Sequence, residues 1–224
     1  MATSPSALLF SQMTPPAALE PEFNAWYDEE HVPARLALPG FRSARRYRST
    51  EGTGEYVAVY HVDELAAFDT DGYRRLRAAP SARTTAMLDA VSGFTRFTCT
   101  VDTEVGTMPD TAYLYVVAFA VPADRVAAYD AWYEQEHTEM LMAADGWTGV
   151  RRLVVVDAAG GPWTHLTFHH LSTLDALDSP ERGAARAAPM RAKLVEEPWF
   201  SRSRRSIYAP LPVTTVPSNE SGPA

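Results

Sequence analysis

The chain has one cysteine, Cys99, and one lysine, Lys193, among 224 residues. A lone cysteine excludes an intrachain disulfide, a CxxC redox pair and any zinc site built on several thiolates. No uninterrupted apolar stretch approaches the ~20 residues needed to span a bilayer, and the opening MATSPSALLFSQMTPP has no basic segment before its four-residue apolar run. Cytoplasmic residence without a membrane partner is therefore the expectation. Positive charge is also in deficit: 20 Lys and Arg against 28 Asp and Glu leave a formal net charge of −8. An overall positive field for nucleic acid is thereby excluded, although a local basic patch is not. No GxGxxG, P-loop or GxSxG occurs, so nucleotide-dependent and serine-hydrolase chemistry have no signal. With 46% hydrophobic, 11% aromatic and 21% charged residues, the chain has the mixture of a folded globule. Arginine replaces lysine almost throughout, a bias associated with GC-rich genomes and compatible with a role in secondary metabolism.

Against these absences stands a duplication. Residues 23–31 read FNAWYDEEH and residues 129–137 read YDAWYEQEH, offset by 106 without a gap. At the same offset Gly40 matches Gly146 and Arg45-Arg46 match Arg151-Arg152. The offset then becomes 109, where Tyr60-His61-Val62 matches His169-His170-Leu171 and Arg77-Ala78-Ala79-Pro80 matches Arg186-Ala187-Ala188-Pro189. The change falls in a glycine-rich hairpin, where insertions are tolerated. A repeat of about 105 residues is too long for a solenoid unit and fits a small domain. The expected organisation is residues 1–106 and 107–209 as two such units, with 210–224 a disordered tail of turn-forming and polar composition.

Periodicity predicts one element order in both copies. Apolar runs at 7–13 and 112–121 read as strands. Helical spacing follows at 20–38 and 124–144, with Pro21 and Pro122 near the starts and Gly40 and Gly146 past the ends. Strands come next at 41–48 and 148–157, then at 56–62 and 163–171. Alanine- and arginine-rich helices occupy about 72–91 and 181–196, and closing strands lie near 94–102 and 201–208. This is βαββαβ, the ferredoxin-like unit, twice: an α+β fold. A four-stranded unit of this kind covers one sheet face with helices and leaves the other bare, so two copies closing sheet against sheet make a pseudo-dimeric α+β barrel.

Strand parity sorts residues onto two faces. Val57, Val59 and His61 share one, and Tyr56, Ala58 and Tyr60 the other. In the second copy Leu166, Phe168 and His170 oppose Trp163, His165, Thr167 and His169, while Leu114, Val116, Ala118 and Ala120 oppose Tyr113, Tyr115, Val117 and Phe119. The aliphatic rows suit helix packing. The aromatic and polar rows suit a lined cavity inside the barrel.

The stretch FNAWYDEEHVPARLALPGFRSARRY resembles EthD-like members of the dimeric α+β barrel superfamily, in which a Trp or Tyr precedes an H-x-P motif on the first helix. The resemblance covers residues 5–105 and 110–209. The first copy has Trp26, His31, Pro33, Pro39 and Gly40 in place. The second keeps Trp132, His137 and Gly146 but has Glu139 where the H-x-P proline stands, and Asp145 precedes its glycine, which implies a diverged site or chemistry in one half only. The superfamily spans cofactor-independent monooxygenases, lactone isomerases, dehydratases or cyclases, haem enzymes and plain binders, so membership implies a small-molecule partner and leaves the reaction open.

Candidate chemistry rests on histidine, which titrates near neutrality. His31 and His137 lie four residues after Tyr27 and Tyr133; each is either a general acid or base at a cavity mouth or a ring that fixes the helix end. His165 and His169 share the expected cavity face with Trp163 and Thr167, opposite Tyr56 and Tyr60, with Tyr115 and Phe119 as further substrate-binding walls. His165 and His169 are not expected to chelate a metal, because four residues of strand span ~13 Å and two imidazoles on one ion bind at ~2.1 Å. One member of each pair Arg45/Arg46 and Arg151/Arg152 must point inward, where it could clamp an oxyanion. The expectation is a lyase or isomerase of dehydratase or cyclase type, with no cofactor and no metal, acting on a small hydrophobic, aromatic or polyketide-like molecule. A cofactor-free monooxygenase and a non-catalytic binder are the rivals, with a haem enzyme third. Further homo-oligomerisation is compatible with this reading.

Overall fold

A computed structural model describes residues 6–212. Eight strands carry the fold: β1 (Ala7–Thr14), β2 (Phe41–Ser49), β3 (Tyr56–Val62), β4 (Ser92–Gly106), β5 (Tyr113–Phe119), β6 (Trp147–Ala159), β7 (His165–Leu171) and β8 (Arg204–Pro210). They close into one antiparallel barrel in the order β1-β3-β2-β8-β5-β7-β6-β4. Each half contributes four consecutive staves with its fourth strand beside its first, the ferredoxin-like order. The halves are joined by two seams. The β4–β6 ladder runs from Arg96↔Ala159 to Gly106↔Gly149, and the β2–β8 seam is short, from Tyr47↔Pro210 to Ser49↔Tyr208. Closure leaves no sheet edge to be covered.

Among the described residues seven helices pack outside the barrel: α1 (20–36), α2 (Asp71–Ala78), α3 (Ala82–Ala90), α4 (126–142), α5 (Pro180–Ala187), α6 (Pro189–Val195) and α7 (Pro198–Ser201). The two alanine-rich stretches each form two helices rather than one. Pro80 follows α2 and Pro189 opens α6, and neither proline can donate the hydrogen bond a continuous helix would need. Thr70, Ser81 and Ser179 cap α2, α3 and α5 through their hydroxyls. Among the described residues no helix is long and apolar enough to cross a membrane.

The aliphatic and aromatic rows exchange the places expected of them. Leu8, Phe10, Val57, Val59, Cys99, Leu114, Val116, Leu166 and Phe168, from both halves, form one buried cluster in the barrel interior. Tyr56, Ala58 and Tyr60 pack instead with Phe23, Trp26 and Tyr27 of α1, and Tyr115, Val117 and Phe119 with Tyr129, Trp132 and Tyr133 of α4. The interior of an eight-stranded barrel is only wide enough to be filled by side chains, and branched aliphatics fill it. A void of about 20 Å³ near Trp163, Phe10 and Tyr208 would hold little more than a water. The barrel is thus a packed core, and the expected central cavity does not exist. Trp163 also leaves its expected face: it precedes β7 and packs against the interior cluster. The proposed tail begins inside the fold, since β8 runs to Pro210 and the Leu211 amide donates to the Arg46 carbonyl at 2.9 Å. The rest of that tail, 213–224, lies outside the described residues.

Candidate functional site

Two cavities lie between helices and sheet at equivalent places, one in each half. Both are built on the duplicated WYxxEH segment, where α1 and α4 share a local irregularity. The Val32 amide donates to the Tyr27 carbonyl and the Thr138 amide to the Tyr133 carbonyl, so residues 27–31 and 133–137 form π-helical turns. Such wide turns are rare and concentrate at functional sites. Trp26, Tyr27 and His31 all turn inward here, as do Trp132, Tyr133 and His137. The imidazoles lie against the indoles with ring centres 4.1 Å apart in the first half and 4.2 Å in the second.

The first-half cavity has a volume of about 550 Å³ and is mainly apolar. His31, Arg35, Tyr60, Tyr73 and Arg96 are its chemically active walls, with Leu9, Met13 and Leu76 among the apolar ones. The His31 ring makes no hydrogen bond among the described residues and is 7% exposed. Burial, reinforced by the Arg35 and Arg46 guanidiniums, holds its pKa well below the ordinary histidine value, so the ring is neutral at pH 7. Tyr60 is fully buried with its hydroxyl unpartnered, and burial raises its pKa, so it stays protonated and free to donate. Arg35 lies with its guanidinium carbon 5.5 Å from the Tyr60 ring centre, and its Nε is likewise unpartnered. Arg96 donates to the Tyr73 hydroxyl at 3.3 Å and pairs with Asp157 at 2.6 Å.

The second-half cavity, about 330 Å³, occupies the equivalent place with different chemistry. His137 and His169 line it with Tyr115, Trp132, Trp147 and Phe200, and four arginines stand around it: Arg182, Arg186, Arg191 and Arg205. Tyr115 stacks on His169 at 5.4 Å, and Trp147 meets the same ring edge-on at 5.2 Å. Burial drives the His137 pKa down to about 3, and that of His169 well below its ordinary value.

Sequence-predicted residues are therefore divided. His31 and Tyr60 meet in the first cavity; His137, His169, Tyr115 and Phe119 meet in the second. His165 and Thr167 lie under α4 outside both, His165 Nδ1 2.9 Å from Thr164 Oγ1 and Thr167 Oγ1 3.3 Å from the Tyr129 hydroxyl. Tyr56 is held at the far end of α1 by Glu20 Oε1 at 2.5 Å, outside the cavity. Arg45 and Arg151 take the barrel side, opposite Val59 and Phe168, with Arg151 Nη1 3.0 Å from His61 Nε2, whereas Arg46 and Arg152 face the helices and serve the scaffold. Arg46 binds Asp28 at 2.9 Å and Asn24 at 2.6 Å, with its guanidinium 4.3 Å above the Tyr27 ring; Arg152 binds Asp130 and Asp102 in the same way. Glu136 accepts the Met190 and Arg191 amides at 2.9 and 3.1 Å, so it holds α6. Residues missed from sequence include Arg35, Tyr73, Arg182, Arg186 and Arg191. The repeated RAAP, which carries Arg77 and Arg186, was the available signal, since both line equivalent cavities. Among the described residues no group of three or more His, Cys, Asp or Glu is arranged to hold a metal.

One closed barrel from two ferredoxin-like halves, with a helix-covered cavity in each, defines a dimeric α+β barrel carried on a single chain. Solved structures share this fold. An anthrone oxidase-like protein matches at a TM-score of 0.68 with 10% identity, over 94% of this chain and 93% of that one. A candidate monooxygenase from Fusobacterium nucleatum matches at 0.63 with 9% identity, over 95% of each chain. A chlorite dismutase variant from Candidatus Nitrospira defluvii, in complex with cyanide, matches at 0.59 with 10% identity, over 94% and 92%. At these identities the similarity is one of fold. No family model and no curated protein matches the sequence.

Proposed function

We propose that the protein is a cofactor-independent enzyme that removes a proton from a small hydrophobic, aromatic or polyketide-like molecule held in the first-half cavity. The observation that carries this reading is His31: a neutral, unpaired imidazole on the wall of a mainly apolar cavity that also holds a protonated tyrosine and an arginine. A general base needs a free lone pair, and an enolate forming beside it needs a donor and a positive charge. Tyr60 supplies the donor and Arg35 the charge. A volume of about 550 Å³ falls within the range of small-molecule sites and accommodates a fused-ring substrate. The EthD-like kinship drawn from His31-Val-Pro33 belongs to the same reading.

Of the reactions open to an enolate, we favour oxidation by dioxygen over the dehydration or cyclisation expected from sequence. The fold shared with an anthrone oxidase-like protein and candidate monooxygenases supports that preference. In outline, His31 takes a proton from a CH2 beside the conjugated carbonyl system, and the carbanion adds to O2. The resulting hydroperoxide loses water, so CH2 and O2 become C=O and H2O. Anthrone is the direct probe. The purified enzyme should consume one O2 per anthrone without added flavin or metal, and His31→Ala should lower the rate on the order of 10²–10⁴-fold. Turnover of a related substrate without O2 uptake would transfer the reading to the lyase or isomerase class. An undiminished rate in His31→Ala would remove His31 from the chemistry.

A further inference from the structure

The second-half cavity carries a charge arrangement that the proton-transfer reading does not use. We infer that it is a binding site for the carboxylate of a planar aromatic acid. Arg182, Arg186, Arg191 and Arg205 converge on it, and none forms an ion pair among the described residues. Arg182 and Arg191 spend one donor each on the backbone carbonyls of Leu177 and Arg186. Arg191 is crowded enough by burial, Arg186 and Arg205 that its pKa is lowered, which is the behaviour of a guanidinium with like neighbours and no anion. Elsewhere the chain pairs its arginines readily, as at Arg46, Arg83 and Arg152, and it carries a surplus of eight acidic residues. Four of the arginines without an ion pair stand around this one hollow, a local concentration of positive charge that attracts an anion.

A second, independent observation concerns the walls. The ring nitrogens Trp132 Nε1, Trp147 Nε1, His137 Nδ1 and His169 Nδ1 are buried without a partner, on residues 2%, 4%, 9% and 1% exposed. Buried polar atoms are normally satisfied, so four orphans around one cavity indicate a missing polar partner. At the equivalent tryptophan of the first half the partner is present: Trp26 Nε1, the counterpart of Trp132, donates to Thr84 at 3.0 Å. The other walls include the aromatic rings of Tyr115, Phe119 and Phe200, which suit an aromatic ligand. Guanidinium forks match a carboxylate in two parallel hydrogen bonds, which selects this group over a neutral one.

The test is a calorimetric or tryptophan-fluorescence titration of the full chain with 2-naphthoate, its neutral counterpart 2-naphthalenemethanol, and inorganic phosphate. Naphthoate should bind at least tenfold more tightly than the alcohol, and Arg191→Gln and Arg205→Gln should each weaken naphthoate about tenfold or more while leaving the alcohol unchanged. Phosphate should bind more weakly than naphthoate. Equal affinity for acid and alcohol, unchanged naphthoate affinity in both arginine variants, or phosphate binding as tight as naphthoate would each overturn the inference. So would loss of naphthoate binding in Arg35→Gln with full binding in Arg191→Gln, which would put the acid in the first cavity. Because the readout is binding, the result stands apart from whether His31 turns over anthrone.

Discussion

All six histidines of the chain are buried or nearly so, and every one has its pKa lowered, burial being the leading cause each time. For His31 the consequence is a distinctive pH profile. A base works when deprotonated, so the rate climbs with pH through the base's pKa and is flat above it. An ordinary histidine would put that inflection near 6.5. Held well below that value, His31 should give a kcat/KM that is level from about pH 6.5 to 9 and falls only in acid. An inflection at neutral pH in the profile of the wild type would mean that another group takes the proton. The residue scale is also where sequence reasoning succeeded least. His31 and His137 stood out because a rare hexapeptide was repeated around them. Arg35 and the helix arginines of the second cavity, Arg182, Arg186 and Arg191, did not, because an arginine on an amphipathic helix looks the same whether it meets solvent, a carboxylate or an empty hollow. His165 shares the strand face of His169 yet falls outside the cavity, covered by Tyr129 at a ring separation of 5.0 Å; which helix residue lies above a strand residue is not written in either element alone.

At the scale of elements, proline, glycine and hydrophobic period were reliable guides. The strands and first helices lie close to their predicted positions, because apolar spacing and the Pro-start, Gly-end punctuation act locally. The glycine after α4 illustrates a strict requirement. Gly146 sits at φ +85°, and a Cβ there would lie 2.7 Å from Thr173 Cγ2. Gly146→Ala should therefore cost about 2 kcal/mol or more through left-handed strain and collision together. In a chain of this size that is a fall in Tm of roughly 4–8 °C, readable by calorimetry. Adding Thr173→Ser should recover only part of the loss, because it relieves the collision and not the backbone strain. The π-helical turns, by contrast, had no forerunner in the sequence. Their departure from regular winding is one hydrogen-bond register, too small to disturb a hydrophobic period read over twenty residues.

The whole molecule depends on closure. Its interior cluster draws on strands of both halves, and the β4–β6 and β2–β8 ladders cross between them. Unfolding should accordingly be a single calorimetric transition, with van't Hoff and calorimetric enthalpies in agreement. Residues 1–106 produced alone would expose Leu8, Phe10, Val57 and Val59, and should self-associate or aggregate, which size-exclusion chromatography would reveal. Two independent transitions, or a stable monomeric half, would contradict an interdependent barrel. Acid should undo the fold early. Folded histidine pKa values lie below those of the unfolded chain, so the unfolded state binds more protons once pH drops under about 6.5. Stability is complete above that point and is lost as pH falls below it, by ~1.4 kcal/mol per pH unit for each histidine that stays neutral when folded. His137 and His170, both driven to about 3, carry the loss far into acid, as do His31 and His169, held well below the ordinary value, and chemical denaturation midpoints should fall steeply between about pH 6 and 4.

The duplication, the βαββαβ order in each copy and the pairing of the copies were all determined by the sequence, because repeats, periods and turn residues are properties of neighbours along the chain. Parity likewise separated the two faces of the strands around 56–61, 113–120 and 163–170. Which face turned inward was decided only by tertiary structure. Both faces are buried, one by helices and one by the opposing sheet, so hydrophobicity could not distinguish them; the narrow barrel took the aliphatic rows and left the aromatic and polar rows to the helices. That choice set two separate cavities, rather than one shared interior, as the places where chemistry and recognition occur.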